Sequence, residues 1–375
     1  MSFENKSEVI QEDTPNMFLQ DIQRYYTPIL VHFGLLGNCL SVCVFFGTKL
    51  RYFSSSIYLG ALAISDTIFL VTIFVVWLNM VQIDLFNRWG FCQFFIYLST
   101  LCSFLSVWLI VAFTVERYVA VRWPLRRQSL CTATRAKAVV ISLTVLAIPV
   151  CSPVVLFSTS NENTTGCELD NDWETWANAY NTFDTIMTFA LPLTMIVIFN
   201  TLIARNIYKL DHVRRTLTIE SNASNDKAQT LRDRMPQTKV TKMLLLVSST
   251  FFCLNMPSFV LRVIAFLYEY HKSPTWLTPA QQMCNLLFNT SFGINFVFYC
   301  ANGQNFRRAM VRMFIKRPNT RRNGTLIQMA SHGKQYVSEF THRCNSTKQS
   351  EQNQFDNAQQ KNCQEMQKLT INKRL

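Results

Sequence analysis

The chain has 375 residues, room enough for two soluble domains on length alone, yet 49% of them are apolar, 30 are Phe and only 16% are charged. The charges crowd into short stretches between long runs that hold almost none, the pattern of a chain that crosses a membrane repeatedly, because a helix needs about 20 apolar residues to span the hydrocarbon core. The net charge of +13 then belongs to one face of a membrane protein and is no argument for nucleic-acid binding.

In chain order, residues 1–25 are polar and acidic without a long apolar core. No cleavable leader is read there, and the segment is expected to lie outside the cell, with the first span doing the targeting. Seven apolar segments follow, near Tyr26–Phe46, Ile57–Met80, Cys92–Val121, Lys137–Phe157, Tyr180–Ile207, Thr238–Tyr268 and Pro279–Tyr299. Their runs are continuous, not alternating, which argues against a β-barrel. Helices satisfy their own backbone polar groups, as lipid requires. The predicted fold class is therefore an all-α membrane protein, a seven-transmembrane helix bundle.

With the N-terminus outside, the segments near 47–56, 117–137 and 205–242 and everything after 300 lie inside. They hold every Lys and Arg except Lys6, Arg24, Arg88, Arg262 and Lys272, as positive-inside topology demands. After the seventh span, "NGQNFRRAMVRMFIKR" sets Phe306, Met310 and Phe314 at i, i+4, i+8 with Arg between. That is the spacing of a short amphipathic eighth helix on the inner leaflet. A helical unit over residues 26–315 and a disordered cytoplasmic tail over 316–375, rich in Asn, Gln, Ser and Lys, are expected. The inner segment around 211–237 has the same polar character.

The twelve Cys form no CxxC and no Cys/His group at zinc spacing, so the common structural metal sites are not indicated. Most sit in apolar runs as small hydrophobes. Ionisable residues inside spans are costly and point to function. Asp66, midway along "YLGALAISDTIFLVTIF", reads either as a carboxyl satisfied by neighbouring hydroxyls and amides or as a buried cation or proton site. Asn38, Ser106, Ser291 and Asn295 could supply oxygens suited to Na⁺. Arg117 ends the third span beside Glu116; it reads either as a snorkelling anchor or as half of an ion pair that can break and re-form. Pro149, Pro153, Pro192 and Pro257 lie within spans and can kink them.

These residues, taken in order, carry a resemblance. "GN" at Gly37–Asn38, "LAISD" at Leu62–Asp66, Cys92 at the head of the third span and "ERYVAVRWPL" at its end are four of its marks. Pro192, Pro257 and "NFVFY" at Asn295–Tyr299 complete the set. Over roughly Tyr26–Ile315 the chain resembles the rhodopsin-like (class A) G-protein-coupled receptors. The resemblance implies that Glu116 holds Arg117 at rest and releases it towards Tyr299 and the G protein. It makes Tyr118 part of the same switch, and Pro124 and Leu125 an inner contact that enters the G protein. It makes Asp66, Ser106, Ser291 and Asn295 a sodium pocket, an allosteric Na⁺ being the one cofactor-like partner expected. Phe251, two turns before Pro257, stands for the switch aromatic.

Asn255 stands where the family has Trp, Phe296 where it has Pro, and Asn200 where it has Tyr. Cys92 and Cys167, both facing outside where disulfides persist, are expected to join. Asn5 and Asn163 are outward glycosylation sequons. The tail is expected to meet arrestin and receptor kinases, and the spans the lipid bilayer.

Ligand class follows partly by exclusion. Asn289 stands where a retinal-binding Lys would be needed, and Ser99 where an amine-binding Asp would be. The outer segment after the fourth span carries Glu162, Glu168, Asp170, Asp172 and Glu174 without Lys or Arg, a field that attracts a basic ligand. Arg262 could meet an acidic group or a C-terminal carbonyl, or pair with Glu269. The tone of "SSSIYLGALAISDTIFLVTIFVVWL" resembles invertebrate neuropeptide receptors of the FMRFamide, thyrotropin-releasing-hormone and CNMamide types. The expected function is a neuropeptide receptor that activates heterotrimeric G proteins by outward movement of the sixth helix. The alternatives are a receptor for a non-peptide ligand, a constitutively active orphan, or a transporter, although no repeated half supports the last. An enzyme is not expected, since no HExxH or GxSxG motif is present.

Overall fold

The computed structural model describes residues 4–88, 90–160, 167–169, 171–220, 246–265, 274 and 276–315. Asn163, Glu162, Asp170, Glu269, the segment 221–245 and the tail 316–375 lie outside the described residues, and Asn5 is described only as backbone of the first helix.

Among the described residues, eight long helices order the chain, besides a few single turns. They are α1 (Glu4–Gly47), α2 (Ser54–Met80), α3 (Phe91–Arg122) and α4 (Ala133–Cys151). Then come α5 (Glu174–Thr185, a π turn at Ile186–Ala190, and Leu191–Glu220), α6 (Leu246–Ala265), α7 (Leu277–Gly293 continuing as Asn295–Asn302) and α8 (Gln304–Ile315). The six spans within α1 to α6 are long and apolar enough to cross a membrane. The seventh predicted span is helical too, but it breaks at Ile294 into pieces of 17 and 8 residues. α1 starts well before the predicted Tyr26, and its apolar span covers Phe18–Gly47. The all-α reading needs one addition. A short antiparallel pair, β1 (Ser158–Ser160) and β2 (Cys167–Leu169), lies between α4 and α5.

Helix starts follow local chemistry. Thr132 caps α4 by accepting the Arg135 N–H on its Oγ1 at 3.3 Å, which satisfies one of the orphan donors of a first turn. Gly90 turns the chain into α3 at φ +80°, a conformation open to glycine, and its N–H donates to Gln93 Oε1 at 3.1 Å. In α5 the π turn contains Thr188, the residue whose carbonyl the ring of Pro192 would meet four positions on. Widening the helix there relieves the clash that a proline imposes.

α3 is the central helix, packed against α2, α4 and α5, while α1 packs on α2 and α7. α4 buries little beyond Ala136, Ala147 and Cys151; its exposed Ile141, Val145 and Leu146 are the surface of a helix meant for lipid. α1 and α7 approach closely. A Cβ on Gly34 would stand 3.0 Å from the Gly293 Cα, and one on Gly37 would stand 2.8 Å from the Phe296 Cβ. Small residues admit such backbone contact between membrane helices. Phe296, in the place of the expected proline, thus packs its ring on α1 and on Phe306 of α8 at 6.1 Å, while Ile294 supplies the break. Gly37→Ala is therefore expected to lower thermal stability by about 1–3 kcal/mol through overpacking, and adding Phe296→Ala to recover much of it. Thermal unfolding of the purified receptor checks both.

Candidate functional site

The inner end of α3 forms the first of three centres. Glu116 and Arg117 are joined in an ion pair whose side chains are 9% and 5% exposed. Ser54 Oγ, from the first turn of α2, donates to the same Glu116 Oε1 at 2.8 Å. Arg117 lies over the Phe113 ring at 5.5 Å, and its Nε has no partner among the described residues. Tyr118 points away from the pair and packs on Phe199 and Trp123 at 5.4 and 6.1 Å. The chain then leaves the helix, and Pro124 and Leu125 project outward, Leu125 being 95% exposed. Beyond them, Thr132 and Cys131 return the chain to α4, and burial and the Glu116 charge hold the Cys131 thiol above its usual range.

The second centre is Asp66. It is 1% exposed. Ser106 Oγ donates to Oδ1 and Asn295 Nδ2 to Oδ2, each at 2.7 Å. Of the predicted oxygen set these two are gathered here. Ser291 donates instead to its own helix, to the Phe288 carbonyl at 2.7 Å. Asn38 donates to the Phe292 carbonyl at 2.9 Å, tying α1 to α7. The Asp66 carboxylate and the Ser106 hydroxyl are oxygens of the kind a small hard cation takes, whereas Asn295 presents its amide N–H to the carboxylate in this arrangement. Among the described residues no group of three His, Cys, Asp or Glu gathers, as a transition metal would need.

Tyr299 is fully buried between Phe45 and Phe306, at 5.4 and 5.7 Å, and its Oη is without a partner among the described residues. It faces α1 and α8 and is not drawn to Arg117. Asn255 is also fully buried; its Nδ2 donates to the Phe251 carbonyl at 2.6 Å and its Oδ1 has no partner among the described residues. Phe251 lies in the core and Pro257 is half-buried. Arg307 Nη1 donates to the Cys300 and Ala301 carbonyls at 2.7 and 2.6 Å, which caps the end of α7 as cations favour.

The third centre is the outer end. A disulfide joins Cys92 of α3 to Cys167 of β2 across 75 residues of sequence, and Gln93 Nε2 donates to the Ser158 carbonyl at 3.2 Å. The outer strand pair is thereby fixed to α3. Ser99 donates to the Ile96 carbonyl at 2.9 Å, and Asn289 is half-buried on α7. Arg262 pairs with Asp184 of α5 at 3.5 Å; Glu269, the other partner expected for it, lies outside the described residues. Asp184 and Ser54 are the two site residues that sequence reasoning passed over. A charge inside "YNTFDTIMTF" was visible to the same rule that singled out Asp66. Nothing in the sequence marks Ser54.

The chain belongs to the 7 transmembrane receptor (rhodopsin family): that family's profile matches residues 37–299. It is thus a multi-pass membrane receptor and not an enzyme. It is 27% identical to the growth hormone secretagogue receptor type 1 of Oryctolagus cuniculus over 77% of this chain and 79% of that one. It is 26% identical to the thyrotropin-releasing hormone receptor of Gallus gallus over 75% of each chain, and 25% identical to the RYamide receptor of Drosophila melanogaster over 79% of this chain and 64% of that one.

Proposed function

We propose that the protein is a neuropeptide receptor of the plasma membrane, with its N-terminus outside, that activates heterotrimeric G proteins. The ligands for which its thyrotropin-releasing hormone and RYamide relatives are named support a peptide. The concentration of Lys and Arg on one side of the bundle supports the orientation, and α8, basic with a buried Phe306 and an exposed Phe314, suits the inner leaflet.

The observation that carries the coupling role is the buried Glu116–Arg117 pair beside the exposed Pro124–Leu125 tip. Four of the buried polar groups without partners among the described residues, on Arg117, Asn200, Asn255 and Tyr299, sit at positions tied to the switch. Unsatisfied buried groups mark stored strain, and a second arrangement in which α6 moves and these groups find partners gives the bundle two states. A ligand shifts the balance by its differential affinity for them. Arrestin and receptor kinases at the tail complete the set of partners. The test is peptide-stimulated G-protein activation in cells that display an N-terminal epitope on the intact surface, with Arg117→Ala compared at equal display. The variant should lose the response. Full signalling by it would remove Arg117 from the mechanism, and activity without ligand and without response to peptides would identify a constitutively active receptor instead.

A further inference from the structure

Between α3 and α4 the chain runs as "RWPLRRQSLCTATR", residues 122–135, with four arginines and no acid. Arg127–Leu130 is a single helical turn without a side-chain cap. One turn is too short to be stable by itself, so it opens at little cost. Ser129 stands exposed on it. Its Oγ donates to the Arg126 carbonyl at 2.9 Å, a local bond that water readily replaces. Arg126, three residues earlier, lies on the same side of the turn and is exposed too, as is Gln128, and Leu130 is 36% exposed. Arg127 is half-buried, and the Arg117 and Glu116 charges both act on it. The order Arg-Arg-Gln-Ser-Leu thus sets two guanidinium groups before an open hydroxyl and an apolar side chain after it. All of this lies beside the bare Leu125 tip.

We propose that Ser129 is a phosphorylation site for a protein kinase whose acidic groove reads paired arginines before the hydroxyl, and that the phosphate resets the charge of the inner tip. This rests on the orientation proposed above, which puts the segment on the side of the membrane that holds ATP and kinases. Guanidinium groups suit such a groove because they meet carboxylates in a fixed, two-pronged geometry. In the transfer, Ser129 Oγ forms a bond to the γ-phosphorus of ATP while the bond from that phosphorus to the β,γ-bridging oxygen breaks. ADP leaves with the bonding pair, and the hydroxyl proton passes to a carboxylate of the kinase. The new group carries about −1.5 to −2, against four arginines in the segment. Its oxygens meet the Arg126 guanidinium one turn back by charge-assisted bonds. The turn is tightened, and a partner suited to an unopposed cationic tip meets a surface of about half the charge.

The test treats purified full-length receptor with magnesium ATP and the catalytic subunit of the cyclic-AMP-dependent kinase. Peptide mass spectrometry assigns each phosphate, since arginine pairs also precede Thr216 and Thr325. Ser129 should be filled. Arg126→Gln should cost roughly 10- to 100-fold in the rate at Ser129, the worth of one bond to a charged group. A free peptide of residues 123–132 is the control for access. A peptide that is filled while the receptor is not would show that the folded turn withholds the hydroxyl; a peptide that stays empty would show that the pattern is not read. Either result overturns the proposal, as does an Arg126→Gln receptor filled at the wild-type rate. In cells that display an N-terminal epitope, raising cyclic AMP should place phosphate on Ser129. An epitope hidden from the outside of intact cells overturns the orientation instead, whatever the purified receptor does. Ligand-independent nucleotide exchange on the G protein should fall when the wild type is phosphorylated and hold steady in Ser129→Ala. An unchanged wild type overturns the bearing of the phosphate on the tip.

Discussion

Glu116→Gln is expected to raise ligand-independent G-protein activation at least tenfold at equal surface display. The carboxylate neutralises a guanidinium that is almost wholly buried, and removing one partner of a buried pair costs about 3–5 kcal/mol because the other charge is left alone. That penalty falls only on the arrangement in which Arg117 stays against α3. An arrangement that turns Arg117 towards the G protein escapes it, and each 1.4 kcal/mol moves the balance tenfold. Ser54→Ala should act in the same direction and more weakly, since it removes one neutral donor at 2.8 Å from the same oxygen and leaves the charge pair in place. Glu116→Asp, which keeps the charge, should stay close to the wild type. Nucleotide exchange on the G protein, normalised to surface epitope, measures all three. A silent Glu116→Gln receptor would show that the pair does not restrain the resting state.

The spans were legible because burial in lipid requires long apolar runs, and composition records those directly. The helix ends were less so. α1 runs back to Glu4 through Pro15, a residue that ordinarily interrupts a helix, and the polar stretch before Tyr26 has no apolar run to mark it as helical. The interruption of α7 was not read from the sequence, which offers one continuous apolar run with Phe296 where a proline would have marked a bend; the chain breaks at Ile294, with Phe296 wedged against Gly37. That compensation depends on a contact across more than 250 residues, which no local pattern contains. The site divides likewise. Asp66, Ser106 and Asn295 were named from sequence and meet, whereas Ser291 turns to its own helix. Asp184 was legible in principle and Ser54 was not, because its place beside Glu116 follows from the packing of α2 on α3.

Sodium should stabilise the purified receptor, and Asp66→Asn should abolish the effect. Asp66 is buried, its two hydrogen-bond partners are neutral, and no ion pair holds it among the described residues. A lone carboxylate in such surroundings costs far more than neutral hydrogen bonds return, so a bound cation is the natural counter-charge. A cation that binds only the folded state, raised to about 100 times its dissociation constant, adds about 2.7 kcal/mol, a midpoint shift of roughly 5–10 °C for a domain of this size. Sodium chloride should produce that shift where choline chloride does not, and Asp66→Asn should unfold at one temperature in both. A cation that draws on the Asp66 carboxylate and the Ser106 oxygen together would favour the arrangement seen here, in which the two are joined. It therefore opposes any ligand that prefers the other one, and raising sodium should weaken agonist binding to the wild type but not to the variant. Ser106→Ala separates the two parts of the argument: it leaves the carboxylate charge but removes one oxygen, so it should weaken the sodium response without erasing it. A sodium shift that survives in Asp66→Asn would place the cation elsewhere in the bundle.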